Sequence, residues 1–151
     1  MNKDEQWMKI AISEANLAKN EGEIPVGAVL IQNEKLVARA HNQPILNHDP
    51  TAHAEVEVIR KAGKKLKNYR LSGSTLYVTL EPCIMCLGAI MHARIERVVF
   101  GASDPNTGVC GSKADLTSEE FFTHKIKVDG GVLADENKEI LQSFFKSRRK
   151  K

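Results

Sequence analysis

Hydrophobic positions along this chain switch between two periods, and the switches mark its elements. From about Asp4 to Asn20, Trp7, Ile10, Ala11, Ala15 and Ala18 recur at helical spacing and Gly22 follows as a stop, which predicts an amphipathic helix. Pro25 then opens Val26 to Ile31, a nearly continuous apolar run that reads as a buried strand. Gln32 to Lys35 is polar and turn-like, and Leu36 to Ala40 reads as the return strand of a hairpin. His41 to Pro50 carries Asn42, Pro44, Asn47 and Pro50 and reads as a loop. Thr51 is placed to cap the next helix, which holds His53, Glu55, Val56, Ile59 and Leu66.

Leu76 to Leu80 gives a third strand, running into Glu81-Pro82-Cys83 and a helix that continues to about Ala93. In Ile84 to Met91 apolar residues surround the helix, so it is expected to be buried on all sides, in the core or partly in a subunit contact. Arg97 to Gly101 holds a fourth strand, and Ala102 to Lys113 a long loop. Thr117 to Phe122 reads as a short helix and Lys125 to Val128 as a fifth strand. Asp135 to about Lys146 is a last helix, with Ile140, Leu141, Phe144 and Phe145 as its stripe. This alternation predicts an α/β fold, a mixed five-stranded sheet with helices on both faces.

Composition narrows the class. At 151 residues the chain is expected to form one domain over 1–151, with 146–151 as a basic tail. No apolar run approaches the roughly 18 residues that span a bilayer. The N-terminus lacks a signal-like apolar stretch, and three cysteines give no disulfide framework, which favours the cytoplasm. The net charge of +3 permits a nucleic-acid partner without demanding one.

The chemistry concentrates in two motifs. Cys83 and Cys86 lie three residues apart just after Pro82, where proline suits the first turn of a helix. Residues at that spacing share a face and can meet one metal ion. Thirty residues earlier, Thr51-Ala52-His53-Ala54-Glu55 offers a third ligand in His53. Three ligands leave a fourth tetrahedral position for water, the mark of catalytic rather than structural zinc. His-x-Glu followed by Pro-Cys-x-x-Cys is the pattern of zinc nucleobase deaminases, in which the Glu moves protons and does not bind metal. Glu55 fills that role, provided the metal sits off both helix N-termini so that His53 and Glu55 converge. One Zn²⁺ per subunit is expected.

Three other residues compete for attention. Glu57, four residues before Lys61, reads as a surface ion pair with it. Glu81 adjoins Pro82, and its role is open. Cys110, were it a fourth protein ligand, would close the site and make it structural; no second ligand lies near it in sequence, so it reads as a packed or loop cysteine.

With these residues the chain resembles the bacterial tRNA-specific adenosine deaminases of the cytidine and deoxycytidylate deaminase superfamily. The likeness runs through Pro25-Val26-Gly27-Ala28-Val29, His48 to Glu55, Asn68-Tyr69-Arg70-Leu71, Thr75 to Cys83 and Arg97 to Ala102. The resemblance implies a three-layer α/β/α sandwich of the cytidine-deaminase type and a homodimer. It also implies conversion of adenosine to inosine at wobble position 34 of a tRNA anticodon stem-loop, in that family the arginine tRNA with an ACG anticodon. By the same resemblance Asn42 and Ala54 face the target base and Asp104 the flanking nucleotides. Arg148 and Arg149 follow Phe144-Phe145, and either meet RNA or complement the helix C-terminus. Two alternatives stand beside this reading: a deaminase of free bases or nucleotides, and a non-catalytic zinc module closed by Cys110.

Overall fold

The computed structural model describes residues 1–149. Helix α1 (Lys3–Asn20) opens on a capping box, with Asn2 accepting from the Glu5 amide at 2.9 Å and Glu5 accepting from the Asn2 amide at 3.2 Å. Five strands follow: β1 (Gly27–Gln32), β2 (Lys35–His41), β3 (Ser74–Leu80), β4 (Arg97–Ala102) and β5 (Lys127–Asp129). Between them run helices α2 (Pro44–Asn47), α3 (Ala54–Leu66) and α4 (Ile84–His92), and α5 (Ala134–Arg149) ends the described chain.

The sheet order is β2-β1-β3-β4-β5. β1 is antiparallel to both β2 and β3, whereas β3, β4 and β5 are parallel. The expected mixed sheet is therefore present. Its side chains alternate as the strand period requires. Ala28, Leu30, Leu76, Val78, Val98 and Phe100 join the core against α3 and α4, which contribute Val58, Ala62, Leu87 and Ile90. Val29, Ile31, Tyr77 and Val99 face the other way and meet Met8, Ala11 and Ile12 of α1. The α5 helix lies on this second face, where its Asn137 packs over Gly101. Gly27 lets α1 cross β1 closely, since a Cβ there would lie 2.0 Å from the Ala11 carbonyl oxygen.

Antiparallel pairing of β1 with its neighbours brings the start of β1, the end of β2 and the end of β3 to one edge of the molecule. The switch from antiparallel to parallel pairing also falls beside β3. Ligands in open α/β sheets gather outside the carboxyl ends of strands at such a switch.

Several expectations need correction. Thr51 does not cap α3: its amide and hydroxyl donate to Asp49 Oδ1 at 2.8 and 2.7 Å, and His53 takes the N-cap position. The loop from His41 to Pro50 contains the one-turn helix α2, with Pro44 supplying its fixed φ. Thr117 to Phe122 forms turns, not a helix. There Asp115 accepts from the Thr117 amide and hydroxyl at 3.1 and 2.6 Å, a local bond that competes with helical pairing. β5 starts two residues later than expected, and α5 runs on to Arg149. Lys150 and Lys151 of the basic tail lie outside the described residues. The α4 helix is covered on one face only. Cys86, Leu87, Ile90 and Met91 are buried, while Ile84 is 65% exposed and Met85, Gly88 and Ala89 are half-buried on the opposite stripe. Among the described residues no helix is long and apolar enough to cross a membrane.

Candidate metal centre and active site

Two helix N-termini meet at the end of β3. His53 is the N-cap of α3, Cys83 the N-cap of α4, and Cys86 sits in the first turn of α4. Neither N-cap side chain bonds its own helix, so both are free to turn towards a shared point. One potential ligand atom from each of the three residues lies within 4.8 Å of the others, the one such cluster of three among the described residues. His53 Nδ1 lies 3.7 Å from Cys83 Sγ and 3.5 Å from Cys86 Sγ. Tetrahedral zinc with bonds of about 2.3 Å to sulfur and 2.0–2.1 Å to nitrogen sets such ligand atoms roughly 3.6 Å apart. The donor set and its spacing therefore fit zinc.

The electrostatics of the corner follow from this crowding. A hydrogen bond from the Cys86 thiol holds Cys83 down to about 4, helped by His53. Cys86 is correspondingly pushed up, first by the same bond and then by burial. His53 is raised, chiefly through its bond to Cys83. Glu55, 4% exposed, is raised to about 7, with burial as the main cause. A metal bound here would need both thiols deprotonated, so its affinity would fall with acidity.

His53, Glu55 and Cys83 open onto one pocket of about 210 Å³, also lined by Ile24, Val26, Asn42, Pro44, Leu80, Glu81, Asp104 and Thr107. The convergence of His53 and Glu55 at a helix start is thus present. Asn42 is buried and accepts from the Ala54 amide, the first of α3, at 2.8 Å. Its oxygen therefore serves the helix, and its NH₂ group is left to donate. Ala54 is fully buried and does not line the pocket; it acts through that amide. Asp104 lines the pocket, yet its carboxylate is occupied by the amides of Asn106 and Thr107 and the Thr107 hydroxyl. Arg148 is held elsewhere, donating to the Gly22 carbonyl and standing 5.0 Å over the Phe144 ring. Arg149 is exposed and does not line the pocket either.

Two residues that sequence reasoning left out, or left open, shape the walls. Glu23 is 1% exposed and accepts from the amides of Ile45 and Leu46 at 3.2 and 2.8 Å. Glu81 is 2% exposed and accepts from the amides of Asp104, Cys110 and Ser112 at 3.0, 2.9 and 3.1 Å, and from the Ser112 hydroxyl. Nothing in Glu23-Ile24-Pro25 or Glu81-Pro82 signals these donors, which lie more than twenty residues away. Glu57 pairs with Arg60 at 3.3 Å rather than with Lys61, whose Nζ donates to the Arg39 carbonyl. Cys110 stands outside the ligand cluster, and burial, with the Glu81 and Asp115 carboxylates, pushes its thiol up to about 12.

The chain is similar to known proteins over its whole described length. A family profile described as MafB19-like deaminase matches residues 1–149. The tRNA-specific adenosine deaminase of Bacillus subtilis strain 168 is 50% identical, over 100% of this chain and 94% of its own. A solved structure from biochemical and structural studies of A-to-I editing by tRNA:A34 deaminases at the wobble position of transfer RNA superposes with a TM-score of 0.88. It is 43% identical, over 90% of this chain and 99% of its own. The guanine deaminase of Bacillus subtilis is 44% identical over 68% of this chain and 66% of its own, with a TM-score of 0.64.

Proposed function

The chain belongs to the tRNA-specific adenosine deaminase family, and on that premise we propose that it deaminates adenosine to inosine at position 34 of a tRNA anticodon, with the arginine tRNA bearing ACG as its substrate. The observation that carries this reading is the meeting of His53, Cys83 and Cys86 with the buried Glu55 at one pocket. His53, Cys83 and Cys86 hold zinc. Zinc at such a site supplies Lewis acidity, lowering the pKa of water from 15.7 towards about 7.

The remaining work falls to the chain. In the net reaction the oxygen of water replaces the exocyclic amine at C6, and ammonia leaves. Glu55 takes one proton from water and passes it to N1 of the ring, then takes the second from the new hydroxyl at C6 and gives it to the departing amine, which leaves as ammonia. Its burial keeps that proton from exchanging freely with solvent. Asn42 donates its NH₂ group to the base while its oxygen stays on the Ala54 amide, so the helix fixes the amide's orientation. A pocket of about 210 Å³ is smaller than the roughly 300–1,000 Å³ of drug-sized sites. It suits a single base turned out of an unpaired loop, with the neighbouring nucleotides outside. Asp104 shapes the turn that meets those neighbours, and Arg149, exposed at the end of α5, offers a cation to phosphate.

We take the working form to be a cytoplasmic homodimer. The half-covered apolar stripe of α4, with exposed Ile45 and Leu46 nearby in sequence to the pocket-lining Pro44, supports a subunit contact.

The test is incubation with total tRNA, followed by sequencing for adenosine-to-inosine changes. Inosine confined to position 34 is the expected result. The likeness to a guanine deaminase favours a second reading, turnover of free guanine, which release of xanthine from free guanine added to the same assay would establish instead.

A further inference from the structure

Two stretches of the pocket's lining are loops, and each loop hangs from one buried carboxylate. On one side Ile24 and Pro44 face the pocket, and Glu23 ties their segments together through the Ile45 and Leu46 amides. On the other, Asp104 and Thr107 face it, and Glu81 gathers the Asp104, Cys110 and Ser112 amides with the Ser112 hydroxyl. Neither glutamate has a Lys, Arg or His ion partner among the described residues. A buried carboxylate without a cation is costly unless its oxygens are satisfied by hydrogen bonds. Here the backbone supplies those bonds, and charge-assisted bonds are about twice as strong as neutral ones.

The metal corner is built differently. His53, Cys83 and Cys86 sit at the starts of two helices whose buried faces join the main core. Gly108 shows how closely the second wall is fitted, since a Cβ there would lie 2.4 Å from Glu81 Cδ and 2.6 Å from the Asp104 carbonyl oxygen.

We propose that Glu23 and Glu81 are positioning residues that fix the two walls against the nucleotides flanking the target base, and so set the enzyme's affinity for a looped RNA without taking part in the chemistry. This rests on the RNA reading above. Replacing the carboxylate with a carboxamide leaves one oxygen and puts an NH₂ group against an N–H donor, so Glu23→Gln and Glu81→Gln each break one side of the clamp with little change of shape. Each should raise KM for an anticodon stem-loop about tenfold, the scale of a lost charge-assisted bond. Saturating kcat and zinc content should stay within about twofold of the parent, because the helices and Glu55 are untouched.

Hydrogen exchange gives a readout independent of turnover. In Glu23→Gln one of the Ile45 and Leu46 amides should lose protection, and in Glu81→Gln either the Asp104 amide or those of Cys110 and Ser112, with the other wall unchanged in each. Gly108→Ala pushes on the Glu81 clamp from the loop side and should reproduce the Glu81→Gln pattern if that variant folds poorly. A fall in kcat or zinc content with KM unchanged would place these glutamates in the chemistry and overturn the proposal. Unaltered exchange together with unaltered KM would overturn it too. If the parent protein fails to turn over the stem-loop at all, the RNA reading fails, while the exchange pattern still decides whether these carboxylates hold the walls.

Discussion

Two polar clusters sit along the same central strands and use charge in opposite ways. Away from the pocket, Arg97 of β4 forks onto both oxygens of Asp4 at 3.0 and 2.8 Å, and its Nε reaches Asp129 at 2.9 Å. Tyr77 of β3 donates to the same Asp4 at 2.7 Å. Here opposite charges face each other. The Arg97 guanidinium holds Asp4 below its ordinary range, Asp4 raises Arg97, and burial with Asp4 raises Tyr77. Each group is driven further into the state it already prefers at neutral pH. At the pocket the arrangement is reversed. Glu55 is raised towards neutrality by burial. The first cluster fastens α1 to the sheet. The second leaves groups able to change their protonation, and perturbed groups converging in a cleft are what catalytic sites need.

The sharpest break in this comparison comes from the metal ligands. Cys86→Ser should strip zinc and abolish deamination, while Arg97→Met should leave both intact; metal analysis beside an inosine assay checks the pair. Glu55→Gln comes next. On the proposal that Glu55 moves protons without binding metal, this change should lower kcat by about 10²–10⁴-fold with zinc retained. Glu57→Gln, by contrast, should be nearly silent.

Asp4→Asn reverses the pattern, with full activity and a lower melting temperature. A fork that is partly open to solvent contributes only about 1 kcal/mol. The same pair fixes a pH dependence. Asp4 is depressed in the fold, so the unfolded chain binds its proton more readily, and its contribution is present at neutral pH and lost as pH falls below the usual carboxylate range. Acid melts should therefore show the parent losing part of its advantage over Asp4→Asn on acidification. The smallest effect is expected at the end of α5. Arg149→Ala should flatten the salt dependence of stem-loop affinity by about 0.7 in slope if it meets one phosphate. Arg148→Ala should instead loosen the contact with Gly22 and Phe144.

The site's core was legible because its geometry is local. Cys83 and Cys86 share a helix face by spacing alone, and placing His53 at a helix start was enough to turn it and Glu55 the same way. β1 was legible as a nearly continuous apolar run, and it is covered on both faces, Val29 meeting α1 and Leu30 the core under α3 and α4. What escaped reading depends on partners distant in sequence. Glu81 finds its donors more than twenty residues away, and nothing in Glu81-Pro82 announces them. Thr51 and Asp115 show the other failure, in which short polar side chains bond their own turns and displace the helix the pattern suggests. Arg148 misled because a basic helix end looks the same whether it binds RNA or a neighbouring carbonyl.

One measurement tests the central claim most directly. The zinc-loaded protein is offered an anticodon stem-loop with adenosine at position 34, free adenosine and free guanine in one reaction, and products are quantified by mass spectrometry. Flanking contacts supply binding energy that a free nucleoside lacks, so the account predicts inosine in the stem-loop and almost none from free adenosine, with guanine untouched. Comparable turnover of free guanine or free adenosine, with the stem-loop unchanged, would contradict it.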